Sequence, residues 1–254
     1  MEKKRAYRLE LQYDGTGLHG WAKQVGCVTV EGVLEQAFST TLGIVPLLRV
    51  AGRTDAGVHA RRQVVSLQLP IDVDVSRLLG SLNALTPRGV AITCLAPVVD
   101  AFDARRDALS RSYRYFLQIG KVESPFFAQY SWHVRMPLSL DLLRQAAALV
   151  EGLHDFTAFT PTETKHIFFR RLVLRCRWVK LSAERMVLCI EATSFLRHMV
   201  RSLVGTMVEV GSGHRSLDDF VQLLEGGTRD KAGITAPAQG LFLWDIKYPK
   251  KGEW

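Results

Sequence analysis

One succession of periodicities limits what this chain can fold into more than anything else in it. Tyr7, Leu9, Leu11 and Tyr13 alternate with Arg8, Glu10 and Gln12, the period of a half-buried strand. Thr29 then offers an N-cap to a helix whose stripe is Val30, Val33, Leu34, Ala37, Phe38 and Leu42, closed by Gly43. Val45 to Val50 and Gln63 to Leu69 read as strands. A second helix uses Val75, Leu78, Leu79 and Leu82 and must end before Pro87, and Val90 to Val98 supplies a further strand. The order strand, helix, strand, strand, helix, strand is the split βαβ unit of ferredoxin-like domains, which packs two helices on one face of an antiparallel sheet.

The second half repeats that order without an evident residue-level repeat. Tyr113, Tyr115, Leu117 and Ile119 alternate as a strand, and Leu142, Leu143, Ala146, Leu149, Val150 and Leu153 form a helix stripe. Strands follow near Phe168 to Leu181 and Met186 to Ala192, then a helix carrying Leu196, Met199, Val200, Leu203 and Met207. Ser216 opens a short helix with Asp219 three residues on, and Phe242, Trp244, Ile246 and Tyr248 alternate in a last strand. The expected class is α+β: two ferredoxin-like, or RRM-like, βαββαβ halves whose antiparallel sheets form a basic central cleft. The expected domains are 1–105 and 106–254.

Composition narrows the class of partner. At 254 residues and 47% hydrophobic the chain can bury a sizeable core. Its net charge of +8 favours a phosphate-rich partner, because clustered Lys and Arg release counterions from nucleic acid. Cys27, Cys94, Cys176 and Cys189 show no paired short spacing, so neither a zinc ribbon nor a redox dithiol is indicated, and free thiols in a reducing cytoplasm are expected. The seven histidines are scattered, which gives no metal site. No run approaches the ~20 apolar residues of a membrane span, and the basic start leads directly into a strand without a signal-peptide stretch.

The stretch that points to chemistry is Ala51 to Ala60, Ala-Gly-Arg-Thr-Asp-Ala-Gly-Val-His-Ala. Asp55 is the only acid between Glu35 and Asp72, in company with Arg49, Arg53, Arg61 and Arg62. A surface suited to a polyanion is a poor place for a lone negative charge. Gly52 and Gly57 let the backbone turn tightly and come close to a ligand. The bland alternative is an Asx-type turn in which Asp55 bonds its own backbone or pairs with Arg53.

That decapeptide resembles the signature of the bacterial tRNA pseudouridine synthase A family. Tyr13-Asp14-Gly15-Thr16 with Gly20-Trp21, Phe102-x-Ala104-Arg105, Tyr113-Arg114-Tyr115 and Gly152-Leu153-His154-Asp155-Phe156 are similar to further family motifs, in order. So are Phe195-Leu196-x-x-Met199-Val200-Arg201-x-x-Val204-Gly205 and Ala236-Pro237-Ala238-x-Gly240-Leu241, so the likeness covers essentially the whole chain.

The resemblance implies an isomerase that breaks the N1 to C1′ bond of a uridine already in RNA, turns the uracil, and rejoins it through C5. No redox change or group donor is involved, so no cofactor is implied. Asp55 is assigned as the essential carboxylate, by attack on C1′ or C6 or by proton abstraction at C2′. Tyr113 is placed against the target base, where its ring would hold the free uracil and its phenol could relay the C5 proton. On the residues alone, Tyr113 reads as core and Arg201 as a surface arginine on its own helix. The resemblance makes Arg201 the partner of Asp55, a planar fork that can hold a carboxylate through two bonds.

Arg53 and His59 bracket the loop as candidates for filling the gap left by an extruded base or gripping its flanking phosphates. Thr54, Arg61, Arg62, Arg105 and Arg114 complete the candidate RNA contacts, and Arg49, Arg106, Arg170 and Arg171 are of the positioning kind. The implied substrate is the tRNA anticodon stem-loop at uridines 38, 39 and 40, and the implied enzyme is a cytoplasmic homodimer. Departures from the family pattern occur at Ala22, Glu31, Asp103, Arg171-Leu172 and Thr86-Pro87-Arg88-Gly89. They leave two alternatives open: a pseudouridine synthase with a different RNA target, or a non-catalytic RNA-binding module on the same fold.

Overall fold

A computed structural model describes residues 3–164 and 167–249. The chain divides into two compact units: the chain up to Leu109 together with the chain from Leu243, and Ser110–Phe242. Among the described residues there are ten strands, paired mostly antiparallel, and five α-helices. The class is mixed α+β.

In the first unit the elements run β1 (Lys4–Tyr13), α1 (Val30–Leu42), β2 (Arg49–Val50), β3 (His59–Pro70), α2 (Val75–Leu85) and β4 (Val90–Pro97). The sheet order is β4-β1-β3 with β2 on the far edge of β3, all antiparallel. Register runs from Lys4 opposite Pro70 to Leu11 opposite Gln63, then slips so that Tyr13 meets Ala60. Such a bulge bends the strand and re-aims its side chains, and here it lies next to the Asp55 loop. Leu9 and Leu11 of β1, Leu34 and Phe38 of α1, and Leu78 and Leu82 of α2 are fully or almost fully buried. The helix ends follow local chemistry. The Thr29 side chain accepts from the Gly32 amide, and Gly43 closes α1 in the left-handed region at φ 67°.

The second unit runs β5 (Ser110–Ile119), β6 (Trp132–Val134), α3 (Leu140–Val150), β7 (Gly152–Asp155), β8 (Arg170–Lys180), β9 (Arg185–Ala192), α4 (Met199–Gly211) and α5 (Leu217–Leu224). Its sheet order is β5-β9-β8-β7, with the short β6 parallel to β5. α4 is buried along almost its whole length, and the Trp178 indole of β8 donates to the Met207 sulfur at 3.3 Å. Ser216 accepts from the Asp219 amide at 3.0 Å and caps α5. β10 (Leu241–Lys247) closes the chain, and from Leu243 on it belongs to the first unit.

Three sequence expectations change here, the first being that Leu196, expected in the helix stripe with Met199, lies ahead of α4, which starts at Met199. The strand expected from Val45 shrinks to Arg49–Val50, with Pro46 in the run and Val45 and Leu47 exposed. Leu153, expected in a helix stripe, lies in β7, because Glu151 and Gly152 (φ 108°) end α3. β6 and β7 were not legible in the pattern.

Gly205 of α4 explains a motif position. A Cβ there would overlap the carbonyl oxygen of Ile234, so the helix can come this close to Ile234 only with glycine at position 205. Gly205→Ala should destabilise the protein by about 1–3 kcal/mol through overpacking. Gly80→Ala in α2, where a Cβ meets nothing within 4 Å, should be neutral or stabilise by roughly 0.5–1 kcal/mol. Urea midpoints at unchanged slope measure both; equal effects of the two substitutions would contradict the packing account.

Candidate active site

Asp55 sits half-exposed in the connection between β2 and β3, and the loop around it is pinned from beneath. The Tyr13 hydroxyl and Thr54 Oγ1 lie 2.7 Å apart, and Gln63 Nε2 donates to the Tyr13 hydroxyl at 3.3 Å and to the Gly52 carbonyl at 2.8 Å. The Val64 amide donates to Gln63 Oε1, which fixes the orientation of that side-chain amide. Either hydroxyl of the Tyr13–Thr54 pair can be the donor. Burial pushes the Tyr13 phenol up to about 12, against hydrogen bonds from Thr54 and Gln63 that pull it down. Tyr13 therefore stays neutral across the physiological range.

The N-terminal motif holds the same loop from the other side. The Trp21 amide donates to the Thr54 carbonyl at 3.0 Å, and the Gly57 amide donates to the Leu18 carbonyl at 3.1 Å. A side chain at Gly20 would press into Thr54, Asp55 and Ala56, and one at Gly15 would overlap Val58. Val30 and Glu31 at the start of α1 donate to the Gly20 and Trp21 carbonyls, so helix, turn and loop are coupled through backbone bonds.

His59 is 1% exposed. Its Nδ1 accepts from the Gly15 amide at 2.9 Å and lies 3.1 Å from Asp14 Oδ1. One ring nitrogen cannot accept from an amide and donate to a carboxylate together. The amide bond satisfies a buried backbone donor and governs, which makes the ring neutral with its proton on Nε2. Thr54, 7% exposed, is likewise held by the protein. Both residues support the loop from inside, while Arg53 is exposed beside Asp55.

In the second unit, Tyr113 lies half-buried on β5 opposite Ile190, and its ring stands edge-to-face with Phe195, centroids 5.0 Å apart. Arg114 is opposite Cys189. Arg201 is in the first turn of α4; its Nε donates to the Ala236 carbonyl at 2.7 Å, and the Ala236 amide returns a bond to the Arg201 carbonyl. Tyr115, buried in the same unit, donates its hydroxyl to the Pro237 carbonyl at 2.8 Å, and its ring fills the space that a side chain at Gly240 would need. Burial pushes this phenol well up, with the Arg201 charge pulling the other way.

The arginines separate into exposed groups and groups engaged within the protein. Arg62 donates to Glu10 at 2.8 and 3.0 Å and to Asp245 at 2.7 Å, and Arg8 also bonds Glu10. Arg61 lies over the Trp244 ring, 4.8 Å from its centroid. Arg49 reaches Asp103 at 3.3 Å, and Asp103 also accepts from the Arg105 and Arg106 amides; this is the turn that the departure at position 103 builds. Arg171 Nη1 donates to the Phe168 and Arg170 carbonyls. Arg105 and Arg106 are exposed. Among the described residues no group of three or more His, Cys, Asp or Glu could hold a metal ion, and no helix is long and apolar enough to cross a membrane.

These arrangements can be set beside known proteins. The sequence model of the family described as tRNA pseudouridine synthase matches residues 146–249. The tRNA pseudouridine synthase A of Chlorobium chlorochromatii is 41% identical over 245 residues, covering 96% of this chain and 100% of that protein. The chain belongs to the tRNA pseudouridine synthase family. Relatives of the same name from Syntrophotalea carbinolica (38% identical, 95% of each chain) and Bacteroides fragilis (36%, covering 96% of this chain and 97% of that protein) agree. The family motifs at Tyr13, Gly15 and Gly20-Trp21 are explained as the scaffold of the Asp55 loop. Gln63, Tyr115 and Phe195 were missed as site residues. Tyr115 and Phe195 stand in motifs similar to the family's, which is the signal that could have found them, whereas Gln63 lies in none of those motifs.

Glu10 gives the scaffold a pH dependence. Burial raises its pKa, but hydrogen bonds from Arg62 and Arg8, with their charges, outweigh it, and the net shift is downward. Its contribution to stability is therefore present above the ordinary Glu value of about 4.3 and is lost as pH falls through the lower folded value. Glu10→Gln should lower the denaturation midpoint at pH 7 and flatten its fall below about pH 4.3. Parallel midpoint-versus-pH curves for the variant and wild type would refute the linkage.

Proposed function

We propose that this chain converts uridine to pseudouridine at positions 38, 39 and 40 of the tRNA anticodon stem-loop, with Asp55 as the essential carboxylate. The observation that carries this reading is a half-exposed carboxylate on a loop whose backbone is fixed by Tyr13, Gln63 and Trp21. A group that must meet one carbon of a flipped nucleotide gains from being held still before the substrate arrives. The reaction breaks N1–C1′, forms C5–C1′, releases the proton from C5 and returns one to N1. Atoms and electrons balance without an oxidant or donor. Asp55 serves by attack at C1′ or C6 or by taking the C2′ proton.

Tyr113 is read as the platform and proton relay for the detached uracil, and Arg201 as the charge partner of Asp55; domain 106–254 carries Tyr113 and Arg201, and domain 1–105 carries Asp55. Arg53 and Arg105, both exposed, are the preferred phosphate contacts, followed by Arg61 and Arg114. Thr54, His59 and Arg62 act on RNA through the loop and sheet they hold. Two ferredoxin-like halves are the proposed architecture. The order β4-β1-β3-β2 of the first and β5-β9-β8 of the second support it. The enzyme is further read as a cytoplasmic homodimer working without a cofactor.

Asp55→Asn should abolish isomerisation of unmodified tRNA, mapped at nucleotide resolution, while tRNA binding persists. Substantial turnover by the purified variant would remove Asp55 from its role, and product at other RNA positions would redirect the substrate. Binding should weaken steeply with salt. Arg53→Gln should reduce the slope of log affinity against log salt by about one, whereas Arg62→Gln, already neutralised by Glu10 and Asp245, should change it by less. Equal slopes for the two variants would contradict this division.

A further inference from the structure

We propose that Phe195 is a positioning residue for the reaction: it fixes the ring plane of Tyr113 and so the surface on which the detached uracil rests. This rests on the reading of Tyr113 as that platform. β5 fixes where Tyr113 starts, through its pairing with Ile190, but a strand leaves the terminal torsion of a tyrosine broad and two-fold. The plane has to be set by a neighbour. Phe195 stands at 85° to the Tyr113 ring with centroids 5.0 Å apart, the arrangement in which aromatic quadrupoles attract and a rotated ring would lose contact.

The carrier of Phe195 is itself held. Residues 193–198 join β9 to α4. The Thr193 amide donates to the Leu172 carbonyl at 3.2 Å, and Arg111 Nη1 donates to the Thr193 carbonyl at 2.9 Å. Thr160, 2% exposed, donates its hydroxyl to the Arg197 carbonyl at 3.0 Å, and Leu196 is buried at 4%. His198 then takes a left-handed conformation, φ 59° and ψ 0°, and among the described residues no other non-glycine has positive φ. Backbone forced into that region is retained where the surroundings over-determine it, and it clusters at functional sites. The turn thereby delivers Phe195 to Tyr113 on one side and starts the helix of Arg201 on the other.

The test compares Phe195→Leu, Phe195→Tyr, Tyr113→Leu and the double variant Tyr113→Leu/Phe195→Leu, reading single-turnover isomerisation and tRNA Kd, with thermal melting as a control. Phe195→Leu should slow the single turnover about three- to tenfold with Kd within about twofold, and Phe195→Tyr, which keeps the ring, should restore the rate. In the Tyr113→Leu background, Phe195→Leu should add nothing, because the two act as one unit. Should the leucine variant melt below the assay temperature, Phe195→Met takes its place. An unchanged rate, an equal loss in both backgrounds, or a matching loss in Phe195→Tyr overturns the proposal. If Tyr113→Leu alone leaves the rate intact, the platform reading of Tyr113 fails and this inference falls with it; a slow Tyr113→Leu beside a normal Phe195→Leu removes the inference alone.

Discussion

The hydroxyl of Tyr13 is the point on which the first unit's chemistry depends. It sits at the end of β1, past a slip in register, and reaches Thr54 on one side and Gln63 on the other. Without that slip the side chains of β1 would keep their alternation and Tyr13 would not end opposite Ala60 at the start of β3. Three buried polar groups satisfied by one another, by the Gly52 carbonyl and by the Val64 amide hold the Asp55 loop in place at modest net cost, because none is left without a partner.

What could be read beforehand was whatever local chemistry decides. Thr29, Gly43 and Ser216 close or open their helices as their side chains and backbone freedom require, and the main strands alternate because one face is buried. The short β6 carries too few residues for a period to show, and it pairs in parallel with a strand whose partner no sequence rule names. Leu153 continues a helical stripe by spacing, yet Gly152 turns the chain before it is reached, and the stripe says nothing about that. Asp55 was legible as a residue out of keeping with its neighbours, while its support was not: Tyr13, Gly15 and Gly20 lie some forty residues upstream, and only the fold brings them beneath it.

The arginines show the same limit in electrostatic terms. Counted along the chain, Arg49, Arg62 and Arg171 are as good candidates for phosphate as Arg53. In the fold they are occupied by Asp103, by Glu10 with Asp245, and by main-chain carbonyls respectively. The 33 Lys and Arg thus overstate the cations free to meet a polyanion, because some of them are paired with carboxylates within the unit, a cancellation that the net charge of +8 already contains. The departure at Asp103 belongs to this accounting, since the residue found there builds its own turn from the neighbouring amides.

The last strand returns to the unit that began the chain. Asp245 bonds Arg62, and the Lys247 carbonyl accepts from the Leu109 amide, so the N-terminal sheet is sealed by residues made after all of Ser110–Phe242. On a ribosome adding about 5–20 residues per second, the first unit waits on the order of ten seconds for its closing strand. During that interval Arg62 lacks one of its two carboxylates, and the second unit, contiguous in sequence, is free to fold first. Order of synthesis and order of completion are therefore opposite in this protein: the unit that leaves the exit tunnel first is the one finished last.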